Sequence, residues 1–407
     1  MSKTFGIERG FFSTKGSGGN EMHVTSCPVC LGANILNILD IPQVPVHCNL
    51  LWRDQEAARN APRADIQLSF CASCGHLFNQ KFEPNRTAYG ESYENTLDFS
   101  PRFSDYSATL ARYLVDQYDL NEKEIMEIGS GQGDFLRLIC KLGHNHGIGF
   151  DPSYVPQGNA REGPEFIREF YGERHRSYSA DFIIARHVLE HLDSPREFLS
   201  LIRSAIGDRK HARVYVEVPN ILYTLRDLGI WDLIFEHPSY FNATSIRYLF
   251  EFCGFEILAV KERFKNQFLG VEARPATATE HAPKVDDDSL AMLRDYVEHF
   301  ARHHVEKIES WHRKFDSLGR KVVVWGAGSK GVTFLNTFSD VAAIEYAIDI
   351  NPRKAGMFIA GTGQEIVPPK FLQGYRPETI IVMNTNYMAE INQMVQDLDL
   401  APDFLLA

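Results

Sequence analysis

The sequence predicts an α/β protein whose sheets are mostly parallel and covered by helices on both faces. Three observations predict it. From about Phe103 to Pro275, apolar runs of strand length alternate with amphipathic runs of helix length. One of these strands exits through Gly129-Ser130-Gly131-Gln132-Gly133, a glycine loop leading into a helix. A second strand-loop-helix unit, Lys321 onward through Gly326-Ala327-Gly328-Ser329-Lys330-Gly331, recurs about two hundred residues later. The 407-residue length exceeds one typical domain, and 44% hydrophobic residues are enough to build cores without disulfides.

Residues 1–22 read as a flexible arm, because KGSGGN interrupts any periodicity. Residues 23–88 read as a metal module. Cys27 and Cys30, then Cys71 and Cys74, form two CxxC knuckles that can close one tetrahedral site, and structural Zn2+ is the expected ion. Two matched pairs favour structural zinc over a redox dithiol or a disulfide. Cys48 and His76 are read as spare or neighbouring residues, and WRDQEAARNAP between the knuckles as a short helix.

Residues 89–275 carry the first α/β unit. SDYSATLARYLVDQY reads as a helix, EIMEIGS as a buried strand, FLRLICKLG as a helix and GIGFDP as a strand. FIIARHVLEHL, REFLSLIRSAIG, RVYVEVPN, SIRYLFEFCGF, EILAVKERF and NQFLGVEARP continue the series. Glu127, Gly129, Ser130, Gly131 and Gly133 form a turn whose N–H groups can face a ligand. Asp151, at the end of the next strand, is positioned to accept hydrogen bonds from ribose hydroxyls.

Residues 276–288 read as a polar linker. Leu290, Leu293, Val297, Phe300, Val305, Ile308, Trp311 and Phe315 then mark a long amphipathic helix, with His299, His303, His304 and His312 assigned to its solvated face. Residues 289–407 continue into the second unit. Its GxGxxG loop and Asp349 in YAIDINP fit nucleotide binding, so NAD is a competing expectation there.

Forty-two Lys plus Arg against 53 Asp plus Glu, a net charge of -11, disfavours nucleic-acid and anionic-membrane partners while permitting a local basic pocket. Neither a signal-peptide pattern nor a membrane-length apolar run occurs, so a reduced cytoplasmic location is expected.

EIGSGQGD, GFDP and ARHVLEHL resemble class I S-adenosylmethionine (SAM)-dependent methyltransferases. The order of a four-cysteine module, this core, EHPSYF and a second Rossmann-like domain resembles the three-domain C-methyltransferase family that includes deoxysugar methyltransferases. The resemblance implies that Glu127 and the glycines line the methionine side of SAM and that Asp151 holds its ribose. It also implies that His187 and Glu190 border the reaction crevice, and that the segment Glu236-His237-Pro238-Ser239-Tyr240-Phe241 lies over it.

Histidine suits proton abstraction near neutral pH, so His237 is the expected general base, with Glu236 supporting it or binding substrate. Tyr89 is the favoured donor to a developing enolate oxygen, Tyr93 and Tyr240 are candidate substrate contacts, and Gly326, Gly328 and Lys330 are candidates for the substrate's nucleotide. The expected reaction is C-methylation of a small carbonyl compound, most plausibly a nucleotide-linked 4-keto deoxysugar. O-methylation, NAD-dependent sugar chemistry and non-enzymatic SAM or carbohydrate binding are the alternatives.

Overall fold

The computed structural model describes residues 25–87, 93–156, 163–277, 283–319, 321–341 and 344–407. Tyr89 and the amino-terminal arm lie outside them.

The cysteine-bearing region forms an antiparallel sheet of Ile35–Pro45, Arg63–Cys71 and Leu77–Asn79. A fourth strand, Ser239–Tyr240, joins its edge through Leu77↔Tyr240 and Phe78↔Ser239. The Ser-Tyr pair of EHPSYF is thus built into the module of the cysteines, while Phe241 bridges to Asn220 just beyond the central-sheet strand Arg213–Pro219. A short helix, Gln55–Arg59, interrupts the long excursion between the knuckles, started by the Asp54 side chain accepting the Ala57 N–H.

The central sheet runs in the order Phe255–Arg263, Phe268–Pro275, Arg213–Pro219, Phe182–Arg186, Glu124–Ile128, His146–Phe150, Glu165–Ile167. The last five are parallel neighbours, while the first two form an antiparallel hairpin at one edge. The hairpin follows from its short connection, since a parallel pair requires a crossover of a dozen residues or more. This is an α/β class I methyltransferase, Rossmann-like fold. Helix Pro101–Tyr118 starts where Ser100 accepts the Phe103 N–H and Pro101 fixes the first turn. It buries Leu110, Ala111, Leu114 and Val115 against the sheet core.

The carboxyl-terminal sheet is wholly parallel, in the order Glu365–Val367, Ile344–Ile348, Val322–Trp325, Thr379–Val382, Asp403–Leu406. Helix Asp287–Phe315 precedes it and buries Leu293, Val297, Phe300, His304 and Trp311. Here the structure corrects the expected helix face. His304 is buried and Val305 is 55% exposed, because a 3.6-residue turn carries the stripe from Phe300 through 304 to Trp311.

Candidate active site

The chain runs outward from Glu124–Ile128 through His146–Phe150 and Glu165–Ile167, then returns to Phe182–Arg186 on the opposite side. This reversal opens a crevice at the carboxyl ends of Glu124–Ile128 and Phe182–Arg186. The carboxyl-terminal sheet reverses in the same way between Val322–Trp325 and Thr379–Val382. Both crevices open onto one cavity of about 490 Å³, lined by Gly129 and His187 from the first and by Gly326 and Asn384 from the second.

At the first crevice, Gly129 has φ +71°, and a Cβ there would lie 2.2 Å from the Val188 side chain. Gly131 has φ +53° and nothing within 4 Å of the place its Cβ would take, which leaves a cradle against the cavity. Its N–H donates to Asp151 Oδ2 at 2.8 Å, while Asp151 Oδ1 accepts from the Ser153 N–H and hydroxyl at 2.8 and 2.5 Å. The carboxylate is thereby fixed at the cavity wall with acceptor capacity remaining. Glu127 is buried, its Oε2 has no hydrogen-bond partner, and burial pushes its carboxyl up to about 8. Ser130 also lines the cavity, whereas Gly133 turns away from it and opens helix Asp134–Gly143. An orphaned carboxyl oxygen, an open glycine cradle and an oriented aspartate fit the ammonium, methionine chain and ribose of SAM.

Beside this end lies a buried charge network that the sequence reading missed. Arg186 Nε donates to Glu217 Oε1 at 3.0 Å, and the Tyr106 and Tyr215 hydroxyls donate to Glu217 Oε2. Its signal was present as the arginine that ends the apolar run FIIAR and the glutamate flanked by apolar residues in RVYVEVP. His187, in left-handed backbone at φ +55°, places Nδ1 3.5 Å from Glu190 Oε1 and Nε2 3.3 Å from Glu217 Oε1. Burial opposes its charge, but the two carboxylates prevail and push its pKa up to about 9. Both ring nitrogens therefore face protein carboxylates.

His237 lines the cavity, its ring 4.7 Å from that of His191 and nearly perpendicular to it. Burial holds its pKa well below the usual histidine range, so the imidazole is neutral. Glu236 points the opposite way. Its buried carboxylate accepts the Cys48 N–H at 2.7 Å and faces His47 Nδ1 at 3.5 Å, so it contacts the cysteine module rather than the cavity. The expected Tyr240 contact with substrate is likewise corrected, since its hydroxyl is bonded to the backbone of Ile234, donating to the carbonyl at 3.0 Å. Tyr93 does line the cavity.

From the second crevice come Gly326, Gly328 and Lys330. Lys330 Nζ pairs with Asp232 at 3.0 Å, while Lys354 Nζ donates to the Ala327 carbonyl and lies 3.7 Å from Asp349. Asp349 accepts the Ala327 and Asn351 N–H groups, fixing the loop from beneath.

The four knuckle cysteines converge. Sγ atoms of Cys27 and Cys74 lie 3.7 Å apart, and those of Cys30 and Cys71 3.5 Å apart. A tetrahedral ion with bonds of about 2.3 Å requires S–S edges of about 3.8 Å. Hydrogen bonds donated by neighbouring thiols lower the Cys71 thiol, while Cys27 and Cys74 are pushed up as donors, so full ionisation of the cluster calls for a cation. His76 stays outside the cluster, its ring tilted 4.9 Å from that of Phe241.

Residues 100–260 match the family model described as a methyltransferase domain, and residues 257–401 match the C-methyltransferase C-terminal domain. The C-methyltransferase NovU of Streptomyces niveus is 23% identical over 396 residues, covering 90% of this chain and 91% of that protein. Among solved structures, RosA, a riboflavin-derivative dimethyltransferase of Streptomyces davawensis, overlaps 43% of this chain and 57% of its own, at 21% identity and a TM-score of 0.33. The magnesium protoporphyrin IX methyltransferase ChlM of Synechocystis PCC 6803 overlaps 46% of this chain and 91% of its own, at 17% identity and a TM-score of 0.34.

Proposed function

Since the chain is a SAM-dependent methyltransferase, we propose that it methylates carbon, through an enolate, on a small carbonyl substrate of the nucleotide-linked 4-keto deoxysugar class. The observation that carries this reading is the single cavity shared by two switch-point crevices, with neutral His237 in its wall. One crevice suits SAM, and the glycine loop of the other suits the phosphates or nucleoside of the acceptor. SAM supplies a methyl group already activated on a cationic sulfonium, so the protein's work is alignment, desolvation and proton removal.

In this reading Asp151 holds the ribose and Glu127 faces the cationic methionine end. His237 takes the proton from the carbon next to the carbonyl, the C–H electron pair becomes the carbon–carbon double bond, and the carbonyl π pair moves onto the oxygen as the enolate. The enolate carbon then bonds to the methyl as the C–S pair returns to sulfur. Burial makes His237 a weak base in the empty site, and the enolate formed beside it stabilises the resulting imidazolium. The positive charge of His187 opposes protonation of His237 but stabilises the enolate oxygen. We infer that the four cysteines hold structural zinc, and that the amino-terminal, central and carboxyl-terminal units serve as metal, SAM and acceptor domains.

Deuterium uptake from D2O into the carbon next to the carbonyl of a nucleoside-diphosphate 4-keto deoxysugar tests the proton step. Wild-type protein incorporates it, and His237→Asn loses it by about two orders of magnitude or more while retaining S-adenosylhomocysteine binding. Equal exchange in both proteins would remove His237 from the reaction. An O-methyl product would transfer the same base to an O–H.

A further inference from the structure

Glu190, His191 and His237 converge at the cavity wall, and one ligand atom from each lies within 4.8 Å of the other two. Glu190 is 2% exposed. Its Oε1 is engaged by His187, while its buried Oε2 has no hydrogen-bond partner. A buried carboxylate oxygen left unsatisfied is costly, which marks it as the place for a ligand. His191 Nδ1 lies 2.9 Å from the Glu236 carbonyl oxygen. A carbonyl can only accept, so Nδ1 carries the proton and the ring's lone pair resides on Nε2. Donation of the second ring N–H to a backbone carbonyl is the arrangement that orients metal-binding histidines.

We propose that Glu190, His191 and His237 form a second metal site, for a borderline divalent ion such as Zn2+ or Co2+. Two imidazoles and one carboxylate suit such ions, and three protein ligands leave a position open to the cavity. Bonds of about 2.1 Å draw the ligand atoms to about 3–3.4 Å from one another, a closure within reach of side-chain rotation. The guanidinium of Arg186 on the same cavity wall weakens the hold on the ion relative to a site of four thiolates. An ion there occupies the His237 lone pair, so, resting on the base assignment above, the metal-bound form is unable to take the substrate's proton.

The test is a Co2+ titration of protein that already carries zinc on its cysteines. One further Co2+ per chain is expected, with visible d–d absorption and no thiolate-to-cobalt charge-transfer band. Glu190→Gln and His191→Asn each remove the signal while S-adenosylhomocysteine binding persists, and His303→Ala leaves it intact. The last variant addresses the competing pair on the long helix, His299 and His303, whose rings are 4.0 Å apart. Absence of further Co2+ binding, a charge-transfer band, survival of the signal in both site variants, or its loss in His303→Ala would each overturn the proposal. Failure of the base assignment shows separately, as deuterium exchange that survives in His237→Asn while the wild-type cobalt signal is unchanged.

Discussion

Glu127 illustrates how a single buried carboxyl reports on the cofactor end. With its pKa pushed up to about 8 by burial, it is largely protonated at pH 7 in the empty protein. A ligand ammonium or sulfonium nearby favours the carboxylate, so SAM binding at pH 7 is expected to release close to one proton from this group. Calorimetry in two buffers of different ionisation enthalpy measures that release, and Glu127→Gln abolishes it; equal release by the variant would place the cation elsewhere. The motif around Glu127 was legible because its chemistry depends on local spacing. The roles of Glu236 and His237 were not separable in the same way. The two residues sit in a turn closed by the His237 N–H donating to the Ile234 carbonyl, so one side chain enters the cavity and the other meets Cys48 and His47. Which face was inward depended on the partner sheet.

Among the elements, helix Asp287–Phe315 was readable from its apolar repeat, yet one polar residue sits within its buried stripe. His304 is buried, its Nδ1 lacks a hydrogen bond, and burial lowers its pKa to about 4. Between pH 6.5 and 4 the unfolded chain binds a proton there that the folded chain does not, so stability rises with pH across that window. The contribution is on the order of 3 kcal/mol. Urea unfolding at pH 7 and pH 4.5 is expected to show a smaller difference for His304→Leu than for wild type; an unchanged difference would exclude His304 as a source. The strand Ser239–Tyr240 was invisible to periodicity because two residues carry none, and its position is fixed by backbone pairing with Leu77 and Phe78. The hairpin edge of the central sheet, by contrast, follows from a loop too short for a crossover.

At the scale of the whole molecule, the amino-terminal sheet contributes to two cores at once. Cys27, Cys71, Cys74 and Phe78 pack with Phe241, Ile246 and Leu249 and on into the central sheet, while Leu68, Phe70 and Leu77 pack with Leu293, Trp311 and Val324. Arg63 donates to Asn336 and to the Gly361 carbonyl at 2.8 and 2.9 Å, tying the same module to the carboxyl-terminal unit. Each glycine loop was legible alone, but their convergence on one cavity arises from these non-local contacts, which spacing does not encode. If a metal holds the knuckles together, chelation is expected to speed amide exchange at Phe78 and at 239–241 before it affects Val322–Trp325; uniform exchange would contradict this coupling. The central claim is methyl transfer to carbon within the shared cavity. Its most direct test is incubation with SAM carrying a 13C-labelled methyl group and a panel of nucleoside-diphosphate 4-keto deoxysugars, followed by NMR of the product. The account predicts a labelled methyl bonded to the carbon next to the carbonyl; a labelled O-methyl group, or no transfer to any of these acceptors by protein that binds SAM, would contradict it.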